Sequence, residues 1–572
     1  MTNAEIAAVF EQIADLLEFQ GANPFRVRAY RNGARAIHDL AEPAAELVST
    51  PNRPLTDIPG IGKDLAEKVF TLVQTGTLPL WEELLEQIPQ TILTILRVPG
   101  LGPKRTAVLY RELGISTLEQ LREACEANRV RGLKGFGAKT ETSILQGLQI
   151  AAQADLRTYW ADADQVAQSL REHLRAAKAV GQLEFAGSYR RGKDTVGDLD
   201  ILVTAGEPAA VMDRFAAYPG VADVLARGDT KMSVRLQSNL QVDVRVVAEE
   251  SFGAALQYFT GSKAHNVVLR GMAKNRGLKI NEYGVFRGDD PIAGRTEEEV
   301  YATVDLPWIP PELREARSEF DWAAAGRLPK LVELSDICGD LHVHSTWSDG
   351  LATIEEMVEA ARKRGYKFLA MTDHSKRVTI ANGLSAERFL AQWAEIDRLN
   401  RQLKGFTLLK GVEVDILEAG GLDLPDDVLA QADWVVASVH FGQNQSRERI
   451  TARVVGALEN PYVCAIAHPT GRLINRRNAY EVDLDAMLKA ARDNGKFIEL
   501  NAHPSRLDLD DVACSAAKNY GIPIVISTDA HNIHGLEAMR FGVLQARRGG
   551  LAKQDVANTR SWPQMKRLLR RK

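Results

Sequence analysis

Cysteine is scarce in this chain: Cys125, Cys338, Cys464 and Cys514 are the only four in 572 residues, and no two form a CxxC pair. That excludes a disulfide framework and fits a reducing compartment. No apolar run reaches the roughly 18 residues of a membrane span. The start, MTNAEIAAVFEQIADLL, is acidic and lacks the basic opening and unbroken apolar run of a signal peptide. A cytoplasmic protein is expected. A basic surplus is missing as well. The net charge is −4, and the first 338 residues carry 39 basic against 46 acidic side chains. Any nucleic-acid partner must therefore be argued from local motifs. Histidine is rationed too: only His38, His173 and His265 precede residue 339, and the other eight follow it. A single core is excluded by length, since about 100–200 residues per domain gives three to five units.

What is present begins with a repeated glycine turn. IPGIGKDLAEKV (58–69), VPGLGPKRTAVL (98–109) and LKGFGAKTETSI (133–144) interrupt a helical region over 1–150. Each reads apolar–x–Gly–apolar–Gly, then a basic residue and a new helix. Gly60 and Gly62, Gly100 and Gly102, and Gly135 and Gly137 let the backbone turn sharply. Amides at the following helix start carry the positive end of the helix dipole, which suits a phosphate. Lys63, Lys104 and Lys139 stand just beyond. This is the arrangement of helix–hairpin–helix motifs, which grip a DNA backbone without reading bases. The third copy has Lys134 where the others have proline.

Carboxylates dominate the next region. In GSYRRGKDTVGDLDILV (187–203), alternation puts Asp198 and Asp200 on one strand face. VDVRVV (242–247) presents Asp243 with Arg245 on a second strand. Three such carboxylates repel one another unless cations sit among them. Two Mg²⁺ or Mn²⁺ ions about 4 Å apart are the usual arrangement for in-line phosphoryl transfer. Upstream, Ser188 with Arg190 and Arg191 suits a triphosphate and a leaving pyrophosphate.

These motifs, with YFTGSKAHNVVLRGMAKNRGLKINEYGVF (258–286), resemble the family-X DNA polymerases, the DNA polymerase beta group, over 1–315. The resemblance implies that Asp198, Asp200 and Asp243 are catalytic metal ligands. It implies that Ser188, Arg191 and Gly197 hold the triphosphate, and that Tyr258, Phe259 and Gly261 line the sugar pocket. Asn266 and Arg270 would sense the nascent base pair. Lys263 stands where the animal enzyme has an acid. Lys68 matches a lysine that forms a Schiff base with a deoxyribose phosphate lesion, with Arg26 and Tyr30 available to a 5′-phosphate. Asp64 replaces a basic neighbour in that pocket.

From residue 339 a different rhythm begins. Short β-rich runs end in polar residues: CGDLHVHS, KFLAMTDH, FTLLKGVEVD, DWVVASVH, YVCAIAHP, KFIELNAH and IPIVISTDAH, with amphipathic helices between them. Strand–helix alternation implies parallel βαβ units, and functional strand ends fit a β/α barrel of seven strands. His342 and His344 share a strand face and Asp349 follows. His374, Glu413, His440, His468, Asp529 and His531 come from other strand ends onto the same rim. Nine nitrogen and oxygen ligands suit two or three ions of Mn²⁺, Zn²⁺ or Fe²⁺ and an activated water. Asp373 and His503 are expected to orient their neighbours.

This pattern resembles the polymerase and histidinol phosphatase (PHP) family over 339–572. The order polymerase X then PHP is that of bacterial family-X polymerases. It implies 3′–5′ exonuclease action, with abasic-site cleavage or 3′-phosphate removal.

The expected architecture is multidomain α+β and α/β. It comprises a helical lyase-like domain with a hairpin (1–80), a second helical hairpin domain (81–150), and a nucleotidyltransferase palm with a mixed sheet (151–248). A small α+β thumb-type subdomain (249–315), a linker (316–338) and a distorted seven-stranded PHP barrel (339–572) follow. The expected function is gap-filling DNA repair synthesis by a monomer, with DNA and deoxynucleoside triphosphates as partners. A non-polymerising DNA-end scaffold and a small-molecule phosphatase are the alternatives.

Overall fold

The computed structural model describes residues 1–572 except 2, 39–43, 49–53, 59, 99–100, 155–156, 177–179 and 570–572, so Gly100 lies outside the described residues. The front of the chain is helical, and one apolar cluster runs from Ile6 in Asn3–Gln20 to Leu148 in Ala138–Ala154. Phe10, Ile13 and Leu16 are completely buried there, each contributing about 1.5–3 kcal/mol. All three hairpins share one closing hydrogen bond. Ile61 donates its amide to the Ile58 carbonyl at 3.0 Å, Leu101 to Val98 at 2.9 Å and Phe136 to Leu133 at 3.0 Å. The residue between the two glycines is buried each time, which pins the turn to the core. Gly60 (φ +92°) and Gly135 (φ +88°) occupy the left-handed region that side chains avoid. Lys134 therefore does not disturb the third copy. The helices Lys63–Thr75 and Pro103–Leu113 start at Gly62 and Gly102 without a side-chain cap. Lys63, Lys104 and Lys139 are exposed beside these turns.

The middle of the chain is a five-stranded mixed sheet. Its order is Val180–Phe185, Asp198–Ala205, Gln241–Val246, Lys231–Leu236 and Val221–Arg227. Asp198–Ala205 runs parallel to Gln241–Val246, in a register that places Asp200 opposite Asp243. Leu199, Ile201, Val203, Val242 and Val244 are fully buried under the helices Trp160–Arg175 and Pro208–Ala216. A smaller unit follows, with helix Lys263–Lys274 beside a three-stranded antiparallel sheet. The segment 316–338 folds onto it: Phe320 stacks on His265 at 4.5 Å, and Glu319 pairs with the His265 ring at 2.9 Å.

The last part is a seven-stranded parallel sheet whose strands pair in chain order from Gly339–Val343 to Ile524–Ser527. The first and last strands approach each other through the Val343–Ala530 bridge, so the barrel is nearly closed. Alternation decides what enters it. Leu409, Trp434, Val436, Phe497 and Val525 form an inner apolar cluster, and Trp562 and Met565 of helix Trp562–Leu568 complete it. Further along the same faces come Glu413, His440, Glu499 and Asp529. The apolar end packs solid, and the carboxyl end is left with polar side chains.

Candidate active sites

The palm site lies at the ends of the two parallel strands. A β-carbon at Gly187 would lie 2.6 Å from Asp200 Oδ2, so only glycine lets that carboxylate approach the GSYRRG turn. Burial, then the neighbouring Asp198 and Asp243, push the Asp200 carboxyl up to about 6. Burial and Asp243 raise Asp198 in the same way. Each charge opposes its neighbours, a repulsion that a cation among them would relieve. Arg191 donates Nη1 to the Thr260 carbonyl at 2.5 Å and Nε to Glu315 at 3.2 Å. It thus lies against Gly261, where helix Phe252–Thr260 ends. Tyr258 and Phe259 pack edge to face at 5.2 Å, and the Arg245 guanidinium lies 4.5 Å over the Phe259 ring. Asn266 accepts from Gln257 and donates to the Tyr258 carbonyl, each at 2.7 Å. Ser188 and Gly197 are half-buried, while Lys263 and Arg270 are exposed on the next helix.

The barrel rim collects all nine expected ligands around one centre. Ligand atoms fall into three sets, each within 4.8 Å: His344, Asp349, His374 and His531; His342, His344 and Asp529; His374, Glu413 and His440. His468 stands beside the third set, its Nε2 2.9 Å from Glu413. Among the described residues no such set forms from Asp198, Asp200 and Asp243. The residues fit metal ions on a direct observation. His342 Nε2, both His344 ring nitrogens, His374 Nδ1 and Glu413 Oε2 are buried without a hydrogen bond. Such atoms are costly unless something charged satisfies them. His374 Nδ1 and Glu413 Oε2 approach to 2.7 Å yet form no aligned hydrogen bond.

Mutual fields spread the rim's proton affinities widely. Burial alone would depress His440, but Glu413 and Asp415 carry it up to about 9. Burial, with the His531 and His374 rings, presses His344 down to about 4. Glu413 is opposed by its burial but held well below the carboxylate range by His374, His440 and His342. His468 and Asp529 sit at positive φ, +28° and +57°, a strain that clusters at functional strand ends.

Several supporting residues escaped the sequence reading. Glu499 accepts from the His342 ring at 2.7 Å and from the His468 amide at 2.5 Å. Asp415 accepts from the His440 backbone amide at 3.1 Å and contacts its ring at 3.2 Å. Asn501 donates to Asp529 at 3.1 Å. For Asp415 the signal was alternation, two residues after the predicted ligand Glu413, whereas Glu499 and Asn501 flank no predicted ligand. Asp373 orients the loop rather than a ring: it accepts from Ser345, Ser348 and Gln392. His503 bonds Ser505 in its own turn at 2.8 Å. Elsewhere, the Lys68 ammonium pairs with Asp64 and lies 5.8 Å from the Tyr30 ring centre.

The fold and both sites define a beta-type nucleotidyltransferase joined to a PHP phosphoesterase barrel. Comparison with known proteins agrees. Residues 1–78 match a helix–hairpin–helix domain and 92–149 a SAM-like tandem of the same motif. Residues 160–249 match the DNA polymerase beta palm, 255–315 its thumb and 340–503 the PHP domain. The chain is 42% identical over 575 residues to the DNA polymerase/3'-5' exonuclease PolX of Bacillus subtilis, covering 100% of both chains. It therefore belongs to the PolX family of bacterial family-X polymerases carrying a PHP domain. DNA polymerase lambda of Rattus norvegicus is 25% identical over 56% of this chain and 56% of its own. A probable phosphatase of Thermoanaerobacter is 33% identical over 38% of this chain and 89% of its own. Among the described residues no helix is long and apolar enough to cross a membrane.

Proposed function

We propose that this protein is a DNA repair polymerase that fills short gaps and trims the 3′ end it extends. The observation that carries the polymerase reading is the register placing Asp200 opposite Asp243, beside the glycine turn that bears Arg191. Asp198, Asp200 and Asp243 would hold Mg²⁺ or Mn²⁺, which would supply charge neutralisation for the triphosphate and activation of the primer hydroxyl. Arg191, held against the Gly261 backbone, meets the charge developing on the leaving pyrophosphate. Phe259, fixed beneath Arg245, gives the sugar pocket a rigid wall. Asn266 is oriented by Gln257 and Tyr258 to face the nascent pair. The three hairpins grip the DNA backbone through their amides and lysines.

At the rim the nine ligands would hold Mn²⁺, Zn²⁺ or Fe²⁺, which would supply activation of a water for P–O cleavage. Glu499 and Asp415 fix the rings of His342 and His440 so that their Nε2 atoms face Glu413. The barrel's likeness to a probable phosphatase favours a second use of this site, removal of a 3′-phosphate, and abasic-site cleavage would call on the same residues. Schiff-base chemistry at Lys68 is a separate reading, and its pairing with the largely exposed Asp64 does not exclude it.

The test separates the sites. The Asp198→Ala/Asp200→Ala double variant should abolish incorporation on gapped duplex and leave 3′-end hydrolysis intact. His344→Ala should do the reverse. Loss of both activities in the first variant contradicts two independent sites.

A further inference from the structure

One helix of the barrel domain, Met539–Arg548, lies directly on the GSYRRG turn of the polymerase site. It meets the turn directly at positions 544 and 548 and, through Asp164, at 540, and the three positions share one helix face. At the near end Arg540 donates to Asp164 Oδ2 at 2.7 Å, and Asp164 Oδ1 accepts the Tyr189 hydroxyl at 2.5 Å. Tyr189 is buried and stacked on Trp160. In the middle, Leu544 covers Gly192 so closely that a β-carbon there would lie 2.6 Å from Leu544 Cδ1. At the far end Arg548 donates to the Arg191 carbonyl at 2.7 Å and to Glu315 at 3.2 Å. Glu315 is the carboxylate that also holds the Arg191 side chain.

The opposite face of this helix is locked into the barrel. A β-carbon at Gly542 would lie 2.5 Å from Ile526 Cγ2 and 2.6 Å from Ala502 Cβ. Met539, Val543 and Ala546 belong to the barrel's outer core. The helix thus rests on strands whose ends carry Asn501 and Asp529.

We propose that Arg540, Leu544 and Arg548 are positioning residues for nucleotide incorporation, splinting the turn that presents Arg191 to the triphosphate. The barrel domain is then part of the polymerase as well as a phosphoesterase. Arg548 has a second effect. Glu315 competes with an incoming triphosphate for Arg191, and Arg548 shares the charge of Glu315, leaving Arg191 freer to engage phosphate. The Arg548 guanidinium is almost wholly buried and is held by Asp511 at 2.6 Å, so its hydrogen bonds are strong and its place is fixed. Close-packed interiors transmit such placement rather than absorbing it. This inference rests on the polymerase reading above.

The test uses the full chain on gapped duplex, measuring kcat and KM for the deoxynucleoside triphosphate together with 3′-end hydrolysis and Tm. Leu544→Ala should raise KM about tenfold with kcat within about twofold and hydrolysis unchanged, because small misplacements of a binding group are costly. Arg548→Gln should raise KM further, and Arg548→Lys should recover part of the loss. Should Arg548→Gln fail to fold, Leu544→Ala and Arg540→Ala carry the test at partly exposed positions. An unchanged KM in those two variants overturns the proposal. Parallel losses of both activities with a lowered Tm also overturn it, since they report general packing. Asp200→Ala is run alongside: full incorporation there would refute the polymerase site itself, whatever the helix variants do.

Discussion

On the proposed reading the palm and the barrel solve one problem, concentrating positive charge on a phosphate, with different side chains. The palm uses carboxylates alone, half-open to solvent at two strand ends, and burial with mutual repulsion raises Asp198 and Asp200. The barrel rim uses imidazoles with carboxylates, six of the nine buried, and it leaves ring nitrogens without hydrogen bonds. Hard ions that come and go with a triphosphate suit the first. Softer resident ions suit the second. The difference explains why histidine is so unevenly distributed along the chain.

The largest effect that would sharpen this contrast is at Glu413, which faces His374, His440 and His468. Glu413→Ala should cut 3′-end hydrolysis by on the order of a thousandfold and leave incorporation unaltered in paired assays. If incorporation falls equally, the sites are not independent. Next comes Glu499→Gln, which keeps the shape but weakens the grip on His342. Metal retained after dialysis, read by elemental analysis, should reflect a 10- to 100-fold loss of affinity, roughly the usual cost of losing a supporting carboxylate. Nucleotide incorporation should not change.

Smaller effects belong to the hairpins. Lys63→Ala, Lys104→Ala and Lys139→Ala should each lower the slope of log binding constant against log salt by about 0.9, because each releases one counterion fewer. A salt slope that does not move shows that the lysine touches no phosphate. The smallest effect concerns stability at acid pH. Burial alone would raise Glu297, yet Arg314 and Arg190 hold it down at about 2. Its folded value is depressed, so its contribution to stability is complete above the ordinary carboxylate range. That contribution is lost as pH falls from about 4.5 towards 2. Glu297→Gln should flatten the acid limb of a Tm-against-pH curve in that window, and an unchanged limb would place the acid sensitivity elsewhere.

Much of both sites was legible because strands alternate and glycine turns repeat. His342 and His344 announce a shared face by their spacing, and Asp198 and Asp200 do the same. The third hairpin, despite Lys134, was recognisable from its glycines, since the buried Phe136 and the turn hydrogen bond set its shape. Glu499 was harder to see. Inside KFIELNAH it looks like any polar strand residue, and only the barrel's curvature brings it to His342. The role of MRFGVLQARR was invisible, because its contacts lie more than 300 residues away in Asp164, Arg191 and Gly192.

By itself the sequence determined the helices, the turns, the strand ends and the chemical character of each site, since these follow from local period and residue type. Tertiary structure alone decided that Asp200 lies opposite Asp243, that the rim ligands gather into three sets, and that a phosphoesterase helix rests on a polymerase turn. Register, barrel closure and domain packing are long-range outcomes of close-packed burial, and no local pattern encodes the distance between residues that meet only when the cores are complete.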